Sequence, residues 1–302
     1  MDGQHAHHPP RSHPAAAGVR LLALDVDGTL TNSRHEVSAA TAAAVTRIRA
    51  AGITVMLATG RRYRDVLPIA ERLGIDVPLV TASGALVKQP GSHATRFRAA
   101  FPPGIVDGVI AMLVGGGHEP ILYTDSFAEG FDFHCRSLTH ARPDAEPGQG
   151  LQEYLHRNRA LARVTPDLRA VPPAEVFAGF VMGRQADMLA LEAALRDAFP
   201  GRLSLHTIRS PRYRDFMCEI APAGVTKWSG ILGVAHELGI GPDAICAVGD
   251  DVNDLPMLSA AGLGIAMGNA SPAVRAVARH TVASHDADGL VDVANLLLAG
   301  LS

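Results

Sequence analysis

The stretch from Arg20 to Ser33 reads RLLALDVDGTLTNS. A mostly apolar run feeds straight into Asp25, Val26, Asp27 and Gly28. The run does not alternate, which is the pattern of a strand buried on both faces of a parallel sheet. Gly28 permits the tight turn that must end such a strand. Open parallel sheets bind ligands outside the carboxyl ends of their strands, where Asp25 and Asp27 fall. Two carboxylates this close repel unless a cation neutralises them or one keeps a proton. An oxygen-rich site of this kind suits Mg²⁺ better than zinc. Asp, Gly and Thr are also ordinary turn formers, so the motif needs support from elsewhere in the chain.

That support comes from the neighbouring segments. SAATAAAVTRIRAA (residues 38–51) has the form of a helix, with Ser38 as N-cap and Gly52 past its end. ITVMLAT is the next strand, RRYRDVLPIAERLG a helix and PLVTAS a further strand. Apolar strands alternating with helices indicate a doubly wound parallel α/β sheet. From residue 89 the texture changes: QPGSH, GGGHEP, ARPDAEPGQG and TPDLRAVPPAE are loop-rich, between strand-like PILYTD, VFAGFVMG and RLSLHTI and a helical DMLALEAALRDAF. Residues 89–208 are therefore expected to form an inserted α+β cap domain, with the core built from 19–88 and 209–302. After the insert, DFMCEIA is expected to be a strand leading back to the core. VTKWSGILGVAHELG, AICAVGD, DVNDLPMLSAAG, LGIAM, SPAVRAVARH and DADGLVDVANLLLAG then resume the strand–helix alternation.

Composition narrows the function. The 302 residues are 47% hydrophobic and 19% charged with a net charge of −3, which fits packed domains and gives no basic excess for a nucleic acid. The three cysteines form no CxxC pair, so a reducing, cytoplasmic setting is expected. No apolar run is long enough to span a membrane. Residues 1–18 are polar, proline-rich and carry His5, His7, His8 and His13. They are expected to be a solvated tail, lacking the apolar segment of a signal peptide.

Three further motifs sit at strand ends or helix starts. ATGRR places Thr59 and Gly60 where a helix begins, offering a hydroxyl and an unobstructed N–H to an anion such as phosphate, although Thr-Gly helix starts are common. Lys227 stands near a helix start, where the dipole disfavours it unless it faces a phosphate or carboxylates. VGDDVNDLPML packs Asp250, Asp251, Asn253 and Asp254 behind a buried strand, either as a cation site or as a helix N-terminus rich in stabilising acids.

In this order, DVDGTL, ATGRR, Lys227 and GDDVND resemble the four motifs of the haloacid dehalogenase superfamily phosphatases. The tail AAGLGIAMGNASPAVRAVARHTVASHDADGLVDVANLLL and the position of the insert resemble the Cof-type branch with its C2 cap, over about Val19 to Leu298. The resemblance implies Asp25 as nucleophile, forming an aspartyl phosphate, and Asp27 as general acid and base. It implies Mg²⁺ held by Asp25, Asp250 and the backbone carbonyl of Asp27, with Asp254 supporting the metal or orienting Lys227. Thr59, Gly60 and Lys227 would bind phosphoryl oxygens, with Asn253 assisting. Where Cof-type chains usually carry Asn-Gly after the third strand, this chain has Ser83-Gly84, so a hydroxyl replaces an amide near the substrate.

The expected activity is Mg²⁺-dependent hydrolysis of a small phosphorylated metabolite, most naturally a sugar phosphate, by a monomer or homodimer without nucleic acid or membrane partners. A phosphomutase or phosphotransferase would use the same motifs, and a low-turnover phosphate-binding regulatory protein is the reading of a different class. Asp27, a dedicated acid/base candidate, speaks against the last. GLGIAMG lacks dinucleotide-loop spacing, GGG at 115–117 is a helix-ending turn, and His118, His134 and His140 show no ligand spacing. RSPRYRD (209–215) could meet an anion but is expected to be a solvated hinge.

Overall fold

The computed structural model describes residues 18–139 and 149–299. The histidines of the N-terminal tail, His140 and most of ARPDAEPGQG lie outside the described residues. The chain runs β1 (Leu21–Leu24), α1 (Ala39–Ala50), β2 (Thr54–Leu57), α2 (Tyr63–Leu73), β3 (Leu79–Thr81), β4 (Leu86–Lys88), β5 (Thr95–Arg98), α3 (Ile105–Gly115), β6 (Ile121–Tyr123) and β7 (Phe133–Cys135). It continues through α4 (Gln149–Arg157), β8 (Ala162–Val164), β9 (Ala178–Gly183), α5 (Gln185–Ala198), β10 (Leu203–Arg209), β11 (Phe216–Pro222) and α6 (Lys227–Glu237). It ends with β12 (Ile245–Gly249), α7 (Leu255–Ala260), β13 (Leu263–Ala266), α8 (Pro272–Val277), β14 (His280–Thr281) and α9 (Gly289–Ala299).

The central sheet has the order β14-β13-β12-β1-β2, and every neighbouring pair is parallel. The strand β3 extends it through a parallel bridge between Ala58 and Val80. Alternate strand residues enter different packing clusters. Leu22, Leu24, Val55, Leu57 and Val248 pack with α1, α2 and α9, whereas Leu21, Ala23, Met56 and Ala247 pack with α6, α7 and α8. Both faces are therefore covered, which is why the strands read as unbroken apolar runs. Ser38 caps α1 by accepting from the Thr41 N–H at 3.0 Å. One expected element differs: SPAVRAVARH is helical only to Val277, and His280–Thr281 forms the edge strand β14.

A second, six-stranded sheet has the order β10-β11-β9-β6-β7-β8 and is antiparallel except between β7 and β8. It includes β11, so DFMCEIA does not lead back into the parallel layer, and this sheet runs past the boundary expected at 208/209 to Pro222. The reason is visible in the burial of β11, which alternates like a strand with two different faces. Cys218 and Ile220 pack on α3 and α5, while Met217 and Glu219 point the other way. All three cysteines are buried free thiols. Among the described residues no helix is long and apolar enough to cross a membrane.

Candidate active site

β1 delivers Asp25 to the carboxyl edge of the parallel sheet, where its N–H donates to the Val248 carbonyl at 3.0 Å. Val26 turns back into the core and is fully buried. Gly28 follows at φ +77°, and a Cβ there would lie 2.3 Å from Asp250 Oδ2. The turn therefore needs glycine for its dihedral and for the approach of the second acidic loop. That loop is tied to it: Thr29 Oγ1 donates to Asp250 Oδ1 at 2.9 Å, and Asn269 Nδ2 donates to Asp250 Oδ2 at 3.1 Å and to the Gly28 carbonyl at 2.9 Å.

Lys227 is the first residue of α6, fixed by a reciprocal cap in which Thr226 and Ser229 exchange hydrogen bonds. Its stem is buried, and Nζ donates to Asp25 Oδ1 at 2.7 Å, Asp254 Oδ1 at 2.7 Å and Asn253 Oδ1 at 3.1 Å. Burial alone would lower its pKa, but Asp25 and Asp254 more than offset this and hold the ammonium charged. Asp254 is fully buried, and its second oxygen accepts from the Asp250 and Asp251 N–H groups at 2.9 and 3.1 Å. Ligand atoms of Asp25, Asp250 and Asp254 lie within 4.8 Å of one another. Burial and the neighbouring acids push Asp25 upward, and push Asp250 up to about 7. Crowded carboxylates held this way favour a bound cation.

Asp27 stands apart from that cluster. Arg61 grips it with two bonds, Nε to Oδ2 at 2.8 Å and Nη2 to Oδ1 at 2.6 Å, and His35 Nδ1 lies 3.7 Å from Oδ1. Burial would raise this carboxyl, but the Arg61 bonds and charge outweigh it and leave it below its ordinary value. The Arg61 N–H also donates to Thr59 Oγ1 at 3.1 Å. After β3, Ser83 adopts a left-handed φ of 55° and donates to Glu219 Oε2 at 2.9 Å. Glu219 comes from β11, and burial raises its carboxyl.

These groups share one cavity of about 490 Å³. Its wall includes Asp25, Asp27, Thr59, Gly60, Lys227, Asp250 and Asn253; Asp254 lies beneath the wall, bonded to Lys227, and Ser83 lies behind it, bonded to Glu219. The wall also contains groups that the sequence reading did not select: Arg61, Arg62, Glu219, Tyr154 and His285. Arg209, Ser210, Pro211, Arg212 and Tyr213 line it as well, so the RSPRYRD segment is part of the site and not a solvated hinge.

The sequence profile of the haloacid dehalogenase-like hydrolases matches residues 22–293. The chain belongs to this family. Its relatives include the 5-amino-6-(5-phospho-D-ribitylamino)uracil phosphatase YitU of Bacillus subtilis, 27% identical over 89% of this chain and 94% of that one. The HMP-PP phosphatase of Serratia proteamaculans is also 27% identical, over 85% of this chain and 87% of its own. A haloacid dehalogenase-like hydrolase from Bacteroides thetaiotaomicron superimposes with a TM-score of 0.74 at 23% identity, covering 92% of this chain and 99% of that one. The HAD subclass IIB sugar phosphatase BT4131 gives a TM-score of 0.73 at 21% identity, covering 92% and 98%. The chain is thus a Cof-type phosphatase with a parallel α/β core. Phosphatases of this family use a divalent metal, and the Asp25, Asp250 and Asp254 cluster offers a place for one.

Proposed function

We propose that the chain hydrolyses a small phosphorylated metabolite, a sugar phosphate or a compound of similar size, through a phosphoryl group carried on Asp25 with Mg²⁺ as the metal. The observation that carries this reading is Lys227 Nζ, buried and bonded at once to Asp25 and Asp254 beneath a cavity that Thr59 and Gly60 also line. Phosphoryl transfer asks for positioning and charge neutralisation, and this arrangement is built for both.

The donor set fits Mg²⁺: it is all oxygen, with no Cys or His in the cluster. Asp25, Asp250 and the Asp27 carbonyl would hold it. Both Asp254 oxygens already accept from Lys227 and the loop N–H groups, which favours an orienting role for this residue. When bound, the metal supplies positive charge beside the transferring oxygens. Asp25 attacks phosphorus, an O–P bond forms, and the bond to the leaving oxygen breaks. Lys227 and the Thr59 hydroxyl bind the phosphoryl oxygens, with the Gly60 N–H and Asn253 beside them. Asp27 gives a proton to the leaving oxygen, then takes one from the water that releases phosphate from Asp25. For the first step Asp27 must hold a proton, so the Arg61 grip has to loosen as an incoming phosphoryl dianion competes for the guanidinium.

The test is phosphate release from a broad panel of phosphorylated metabolites, with Mg²⁺ and with EDTA, for the native chain, Asp25→Asn and Asp27→Asn. Release that needs Mg²⁺ and is lost in both variants is the expected result. Undiminished release by Asp25→Asn would refute the phospho-aspartate route.

A further inference from the structure

The β10–β11 connection, residues 210–215, has no part in the chemistry above, yet it walls the cavity. Ser210 is 5% exposed, and its Oγ has no hydrogen-bond partner among the described residues. Arg62, 7% exposed, is in the same state at Nη1. Its Nε donates to Asp65 Oδ2 at 2.8 Å and its Nη2 to Asn158 Oδ1 at 2.7 Å, but Nη1 finds only Asp132 Oδ2, at 3.7 Å. Tyr154 Oη and His285 Nδ1 on the same wall are also unpaired among the described residues; buried polar atoms are normally paired, so four unpaired ones on one cavity wall mark groups open to a ligand.

The charges point to the ligand's sign. Arg62, Arg209 and Arg212 line this part of the cavity with only Asp65 and Asp132 as ion-pair partners among the described residues. Arg212 reaches Asp65 only at 3.8 Å, and Arg209 is exposed and makes no ion pair among the described residues. Arg61 is committed to Asp27, and Glu219 is engaged by Ser83. The Tyr213 hydroxyl accepts from Asn158 Nδ2 at 2.9 Å, so its own proton is free to point outward. This part of the wall, with Arg62, Arg209 and Arg212 against Asp65, therefore presents donors and surplus positive charge, which suits an acceptor-only, anionic group.

We propose that Arg62, Ser210, Arg212 and Arg209 form a subsite for a second anion, a carboxylate or phosphate on the leaving-group side of the substrate. This rests on the phosphatase reading above and narrows its substrate class to compounds with two anionic groups. The cavity of about 490 Å³ has room for both ends of such a molecule.

The experiment compares kcat/KM within matched pairs: glycerol 3-phosphate against 3-phosphoglycerate for a carboxylate, and fructose 6-phosphate against fructose 1,6-bisphosphate for a phosphate. The native chain should favour the doubly anionic member of at least one pair about tenfold or more, and the preferred pair tells which anion fits. Arg212→Ala and Ser210→Ala should each cut that ratio several-fold, through KM more than kcat, with Arg212→Lys recovering part of it. The ratio is internal to each preparation, so partial unfolding cancels. A native ratio at or below one, or a ratio that both alanine variants leave unmoved, overturns the subsite. p-Nitrophenyl phosphate, which lacks a second anion, separates the two failures. Its hydrolysis with a ratio of one sinks the subsite alone, and no release from any compound sinks the phosphatase reading with it.

Discussion

Replacing Lys227 with Met keeps the buried stem and deletes the charge. Nζ makes two bonds of 2.7 Å to carboxylates and one of 3.1 Å to Asn253, all in a buried setting. Removing one partner of a buried ion pair costs about 3–5 kcal/mol, because the other charge is stranded. The stranded carboxylates have an escape, which is to bind a proton. An unfolded carboxyl titrates near 3.9, so protonating one at pH 7.5 costs up to about 5 kcal/mol, and at pH 5.5 about 2.7 kcal/mol less. The sign follows. Folded Lys227→Met holds more protons than its unfolded chain between about pH 4 and the raised folded value, so its stability grows as pH falls through that window. In EDTA the variant should melt roughly 5–10 °C below the native chain at pH 7.5, and most of that gap should close at pH 5.5. The assay is thermal unfolding of both proteins at the two pH values. An equal gap at both would show that the loss is one of packing, and would refute the electrostatic account of this residue.

Two further outcomes are expected. Gly28→Ala places a Cβ 2.3 Å from Asp250 Oδ2 at a φ of +77°, so Asp250 must shift, and phosphate release should fall on the order of a hundredfold; circular dichroism should show the fold retained. Asp250, pushed up to about 7, keeps a proton in the metal-free fold that its unfolded form sheds near 3.9, so its contribution to stability declines as pH rises from about 4 to about 7. Mg²⁺ needs the carboxylate form, so its addition should raise the melting temperature far more at pH 8 than at pH 5.5, and a pH-independent gain would show that the metal does not sit at Asp250.

The residues legible in the sequence are those fixed by the parallel sheet. Asp25 and Asp250 each follow a continuous apolar strand, so their place at the carboxyl edge comes from periodicity alone. Lys227 was legible through a misfit, a cation at a helix start, and its three acceptors explain the misfit. What escaped depends on contacts between distant segments. Nothing local says which of Arg61 and Arg62 turns towards Asp27 and which towards Asn158. Glu219 reaches the cavity only because β11 pairs with β9 and β10 in a register that points odd-numbered residues inward, a fact of sheet assembly that no single strand contains. The RSPRYRD segment looked like solvent-facing charge because its partners, Asp65 and Asn158, lie far away in the chain.

The pairing of β1 with β12 sets a timetable for synthesis. Asp25 and Lys227 are 202 positions apart, and the strand that carries Asp25, flanked early by β2, finds its second partner at Ile245–Val248 only when nearly the whole chain has emerged. At roughly 5–20 residues per second, β1 waits on the order of ten seconds or more for β12. The six-stranded sheet closes over shorter separations, from Ile121 to Pro222, so it can settle while β1, already able to pair with β2, still lacks β12 on its other edge. The acidic cluster is then among the last parts of the molecule to exist. A nascent chain carries the nucleophile early but gains the lysine and the second acidic loop late, so catalytic competence arrives only with the completed chain.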